Sequence, residues 1–222
     1  MFAYGQSSRY GKNLHNFERR KFHFGAHLGG NYSTFRYELK TEFNEADSLK
    51  HIDIKGGPGM SIQLPLVSWN PIYNLNFRFL PSLSFHETVF TYSYMKKGEL
   101  KTRSHRSNPT NLSFPLQVKL NSKRMNNFGA YAMGGFAYTY NLTSEHDVEQ
   151  LLSDPIIKMK PHDFAYQVGG GFDFFLPYFK FGIEIKMVSG IKNILIQDDT
   201  FFAAPLESLK TYGWWFSLTF EG

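Results

Sequence analysis

From Lys21 to Phe220 apolar and polar residues alternate with a period of two, the spacing that sends successive side chains to opposite faces of a pleated strand. In Phe22 to Gly29 one face reads Phe, Phe, Ala, Leu and the other His, Gly, His, Gly. Met60, Ile62, Leu64 and Leu66 alternate with Gly59, Ser61, Gln63 and Pro65. Tyr73, Leu75, Phe77, Phe79, Leu83 and Phe85 alternate with Asn74, Asn76, Arg78, Ser82, Ser84 and His86. Similar segments follow at 112–120, 128–140, 164–174, 179–187 and 212–220, of which 128–140 is glycine-rich with poorly distinguished faces. Eight strands are predicted, and helical spacing is scarce.

The connections sharpen the prediction. They span 33–54, 67–72, 88–110, 121–127, 141–162, 175–178 and 189–208, long and short in turn. Long loops on one rim and tight turns on the other characterise an up-and-down barrel, and segments of about ten residues are long enough to cross a bilayer at a tilt. Period two alone does not say which face points inward, because a soluble ligand-binding barrel alternates too. Volume decides. The apolar face carries eighteen large rings, among them Phe24, Tyr32, Phe77, Phe114, Phe164, Trp214 and Phe220. The interior of an eight-stranded barrel is only just wide enough to be filled by side chains, so these rings face outward. An aromatic surface of that extent belongs in lipid. The expected fold is therefore all-β: an eight-stranded antiparallel up-and-down transmembrane β-barrel in a bacterial outer membrane, with both termini and the short turns periplasmic.

Composition excludes several alternatives. No stretch approaches the ~20 apolar residues of a membrane helix, and the mean hydropathy is −0.35. The absence of cysteine removes disulfides, thiolate metal sites and cysteine nucleophiles. A net charge of +5 is spread along the chain, with no basic run interleaved with stacking aromatics, so a nucleic-acid partner is not expected. Ala3-Tyr4-Gly5 resembles the end of a trimmed export signal cleaved before Gln6. Residues 1–20 are expected to be a signal remnant and a flexible, unstructured lead-in, and 21–222 the barrel.

The polar face holds the candidate chemistry. His23 and His27 have metal-pair spacing on a helix, but on a strand they stand ~13 Å apart at ~3.3 Å per residue and read as interior filling. Ser84 and His86 share a lumen face, opposite any lipid substrate, and read as structural rather than as a hydrolase pair. Neither catalytic residues, metal site nor cofactor is expected. Arg78, Lys119, Asp173, Lys180, Glu184 and Lys186 would be costly if unpaired in a narrow dry lumen. A polar network is expected there, with Lys180 and Lys186 as cross-strand partners for Asp173 and Glu184. In the second long loop Lys96, Lys97, Lys101, Arg103 and Arg106 form a candidate contact patch for lipid phosphates or a partner protein. Gly169-Gly170-Gly171 lacks the helix and lysine of a phosphate cradle and reads as close packing. Pro81 and Pro115 fall within predicted strands, where each removes a ladder donor, so bulges and a weakened seam are expected there; Pro65 is placed near a rim.

Several of these stretches together resemble the PorT family of outer-membrane proteins from Bacteroidota. They are Asn76 through Phe85, Phe114 through Arg124 with Asn126-Asn127, Tyr131-Ala-Met-Gly-Gly135, and Asp163 through Gly190 with its Pro177-Tyr178 turn. The resemblance covers most of 76–220 and fades in the long loops and the N-terminal third. It implies an eight-stranded barrel associated with type IX secretion and gliding motility, required for moving cargo with C-terminal sorting domains, and it offers no catalytic residue. The expected role is an accessory of export rather than its pore. Expected partners are outer-membrane lipid, lipopolysaccharide and other type IX components. A lipid-modifying enzyme, and a structural or adhesive barrel, are the alternatives.

Overall fold

The computed structural model describes residues 11–40, 49–96, 99–143, 157–197 and 204–222. A turn of 3₁₀ helix at Phe17–Arg19 precedes ten strand segments: β1 (Phe22–Leu39), β2 (Leu49–Ile72), β3 (Leu75–Phe79), β4 (Ser82–Lys96), β5 (Glu99–Ser107), β6 (Thr110–Asn121), β7 (Phe128–Asn141), β8 (His162–Phe175), β9 (Lys180–Gly190) and β10 (Leu206–Glu221). The pairings are antiparallel, and the sheet closes because β1 pairs with both β10 and β2.

Ten segments rather than eight arise from two interruptions, each containing a proline. Leu80-Pro81 separates β3 from β4, and both halves lie between β2 and β6. Asn108-Pro109 separates β5 from β6, and both pair with β4 in one register, Thr88 facing Ser107 and Ser82 facing Ser113. The barrel wall thus has eight staves built from ten segments.

The expected bulges at Pro81 and Pro115 do not form. Phe79 faces Leu116 and Ser82 faces Ser113, so against β6 the register runs through both prolines unshifted; the one-residue shift against β2, between Val67–Phe79 and Gln63–Ser82, comes from an extra residue on β2. Each keeps its acceptor role: the Leu80 N–H donates to the Pro115 carbonyl at 3.3 Å and the Leu64 N–H to that of Pro81 at 3.0 Å. Neither has an N–H to return, which interrupts the ladder without kinking it. The bulge lies instead at Pro65, within the wall rather than near a rim. Gly25 faces Leu66 and His27 faces Gln63, leaving Leu64 and Pro65 together opposite Ala26. One extra residue reverses the alternation, so Leu66, expected outward, is fully buried and Pro65 is exposed.

Elsewhere the faces fall as the alternation predicts. Phe24 (61% exposed), Leu116 (63%) and Phe136 (67%) look outward, whereas Arg78 is 1% exposed and Lys119 equally buried. Toward the long-loop rim the strands run far beyond their expected ends, into regions read as loops. There the pattern inverts: Phe35, Ile52, Phe90 and Tyr92 are buried, while Arg36, on the opposite face from Phe35, is exposed. With Leu206 and Leu209 they enclose Ile157, Ile194 and Leu195 in an apolar core. A barrel that has left the bilayer meets water outside, so its apolar side chains must turn in. The inversion between Ser33 and Phe35 on β1, and between Thr88 and Phe90 on β4, marks the lipid boundary on this side.

Candidate functional site

Viewed from the short-turn rim, the lumen is a stack of layers. The first is the N-terminal segment, expected to be flexible but docked against the barrel end. Phe17, 5% exposed, stacks on His23 with ring centroids 3.9 Å apart, meets Phe175 edge-on at 6.0 Å and has the Lys180 ammonium 4.9 Å from its ring centre. Asn13 donates to the Phe175 carbonyl at 2.9 Å, its N–H donates to Asn127 Oδ1 at 2.8 Å, and Arg124 donates to its carbonyl. The Tyr73 hydroxyl donates to Glu18 at 2.8 Å, and this bond holds the phenol's pKa above its ordinary value. A buried aromatic ring in a run otherwise too polar to pack is what fixes the segment, so 1–20 is not wholly a flexible lead-in. Residues 1–10, with the expected cleavage point, lie outside the described residues.

Two ion-pair layers follow. Lys119 Nζ lies 2.7 Å from Asp173 Oδ2, and Lys180 Nζ is 3.5 Å from the same oxygen and 2.6 Å from Glu221 Oε2. Deeper in, Arg78 Nη1 donates to Glu184 Oε2 at 2.9 Å and the Tyr131 hydroxyl donates to that oxygen at 3.0 Å. Lys186 Nζ stands 3.7 Å from Glu184 Oε1, and Arg78 Nη2 donates to His27 Nε2 at 2.6 Å. All six predicted network residues are buried here. The shorter partners differ from the expected lysines: Lys119 for Asp173, and Arg78, reaching across the lumen, for Glu184. The strand pattern orients side chains but does not say which ones meet across a lumen. Glu221, Tyr131 and His27 are members that the expected set omits. Extending the β10 alternation by one step, 217, 219, 221, finds Glu221; Tyr131 lies in the strand whose faces are indistinct. Tyr131 reaches Glu184 because Gly171 leaves room: a Cβ there would lie 2.6 Å from the phenol oxygen. The glycine run is indeed a packing device.

Above the charges, Gln117 Nε2 donates to Gln167 Oε1 at 2.6 Å. Next comes a chamber of about 60 Å³ lined by Ser33, Ser84, His86, Asp163, Thr211 and Lys186 among others. Ser84 and His86 both face it, yet no hydrogen bond joins them: among the described residues His86 Nδ1 has no hydrogen-bond partner, and Asp163 accepts from Thr211. The apolar core closes the far end.

The loop cations do not form one patch. On β5, Lys101 and Arg103 face Tyr94 and Tyr92 of β4, whereas Arg106 faces Val89, on the outward side, 3.9 Å from Glu87. An odd spacing on a strand puts residues on opposite faces. Lys97 lies outside the described residues, as does the Lys96 side chain.

A sequence profile described as outer membrane protein beta-barrel domain matches residues 4–195. Among solved structures, the chain is similar to the outer membrane enzyme PagL, with 10% identity, 86% of this chain and 97% of that chain covered, and a TM-score of 0.39. It is also similar to the outer membrane protein OprG from Pseudomonas aeruginosa, with 12% identity, 89% and 94% covered, and a TM-score of 0.42. No curated protein sequence matches it.

Proposed function

We propose, from the premise that the chain belongs to the outer-membrane protein β-barrel domain family, that it is a non-enzymatic accessory of type IX protein export that works through its surfaces. The chain resides in the outer membrane; in this proposal the short turns and both ends of the barrel wall face the periplasm and the tall rim faces outward. The observation that carries the accessory role is the filled lumen. Phe17, seven interlocked charged side chains, a glutamine pair and an apolar core occupy it in succession, and no unfolded strand, still less a folded cargo, fits through such a stack. The assignment to type IX export rests on the PorT-like stretches at 76–85, 114–127, 131–135 and 163–190. Ser84 and His86, unconnected and aimed into a closed chamber, favour no hydrolase.

The test is a deletion strain scored by proteomics of medium and periplasm. Cargo bearing C-terminal sorting domains is expected to accumulate in the periplasm and to return to the medium on complementation. Normal secretion would remove the export role and leave a plugged outer-membrane barrel.

A further inference from the structure

We propose that the outward face of β1 and β10, at the long-loop boundary of the bilayer, holds a bisphosphorylated glycolipid headgroup of the outer leaflet through Arg36, Lys210 and Lys192. Arg36 and Lys210 are direct cross-strand partners, on the face opposite buried Phe35 and Leu209. Side chains so placed have Cβ atoms ~5 Å apart, and like charges in that position repel. Among the described residues neither cation has an ion-pair partner. Glu38, the carboxylate two residues along the same face, accepts the Ser208 hydroxyl at 2.8 Å. An anion bridging the two cations converts a repulsive pair into a charge-assisted clamp.

The height is right for phosphates. Arg36 lies one residue beyond the inversion that marks the lipid boundary, with its guanidinium 3.8 Å above the Tyr212 ring. Past the end of β9, the Ile191 N–H donates to the Phe164 carbonyl at 2.7 Å, and Phe164 faces Tyr138. The Tyr138 and Phe164 rings lie 5.2 Å apart, centroid to centroid. Lys192, next to Ile191, has its ammonium 4.5 Å from the Phe164 ring centre, which puts a cation beside an aromatic ring on this wall. Aromatic rings at this depth flank acyl chains near the headgroups, and the cations beside them meet the phosphates.

The site's place in the outer leaflet rests on the orientation proposed above, but its chemistry does not, so binding is measured in detergent. Native mass spectrometry of the full chain with bisphosphorylated lipid A should show discrete bound lipid. Occupancy should fall at least about tenfold in Arg36→Gln/Lys210→Gln, fall partway with monophosphorylated lipid A, and stay unchanged in Arg106→Gln. Inorganic phosphate at millimolar concentration should not displace the lipid. Unchanged binding by the double variant, with heat-modifiable gel mobility showing it folded, overturns the proposal, as does equal competition by inorganic phosphate. Surface labelling of the β4–β5 hairpin in intact cells reads the orientation separately: accessible label supports the outer-leaflet placement, and inaccessible label overturns that placement together with the orientation proposed above, whatever the detergent binding shows.

Discussion

Glu184→Ala is expected to destabilise the barrel by about 3–5 kcal/mol. The carboxylate accepts from Arg78 and Tyr131 through one oxygen and faces Lys186 through the other, so its loss leaves two buried cations without a counter-charge. Removing one partner of a buried pair costs far more than removing both, because the remaining charge keeps its desolvation penalty. Adding Arg78→Met to Glu184→Ala should therefore recover part of the loss instead of deepening it. Urea titration of the refolded protein in lipid vesicles, followed by tryptophan fluorescence, measures both. A wild-type midpoint for Glu184→Ala would mean that the inner layers are hydrated rather than interlocked.

The second large effect concerns the outer face. Val168, 54% exposed, lies near the middle of β8 between the Phe164 and Phe174 levels, so Val168→Arg puts a charge close to the bilayer midplane. The expected cost is about 2–4 kcal/mol. Thr102→Arg, on the outward face of β5 beyond the lipid boundary, should change stability by no more than about 0.5 kcal/mol. The contrast between two outward positions on one wall, read by the same titration, locates the membrane. Equal tolerance at both would place the barrel in water.

What could be read in the sequence follows from this same boundary. Within the bilayer, outward rings and inward polar groups alternate so cleanly that β6, β8, β9 and β10 take the faces their residues dictate. Strand ends were legible only on the short-turn side. Beyond the other boundary Phe35, Phe90 and Tyr92 turn inward, and an apolar-outward template stops matching where the strand itself continues. The prolines misled for a related reason. Pro81 and Pro115 lose donors yet keep register, while Pro65, in an unremarkable run, carries the bulge that turns Leu66 inward. The six interior charges could be recognised from alternation. Their partners could not, because Arg78 and Glu184 belong to staves that are not neighbours and meet only once the barrel closes. Phe17 was hidden by its polar surroundings, since a single ring has no period.

The central claim is that this barrel acts by its surfaces because its interior is shut. Planar-bilayer recording of the purified full chain tests it most directly. The structure predicts no resolvable current steps in molar potassium chloride, with Phe17, the Lys119–Asp173 and Arg78–Glu184 pairs and the apolar core all in series. Stable, voltage-independent conductance steps from the wild-type protein would contradict that account and turn attention from the rim to the lumen.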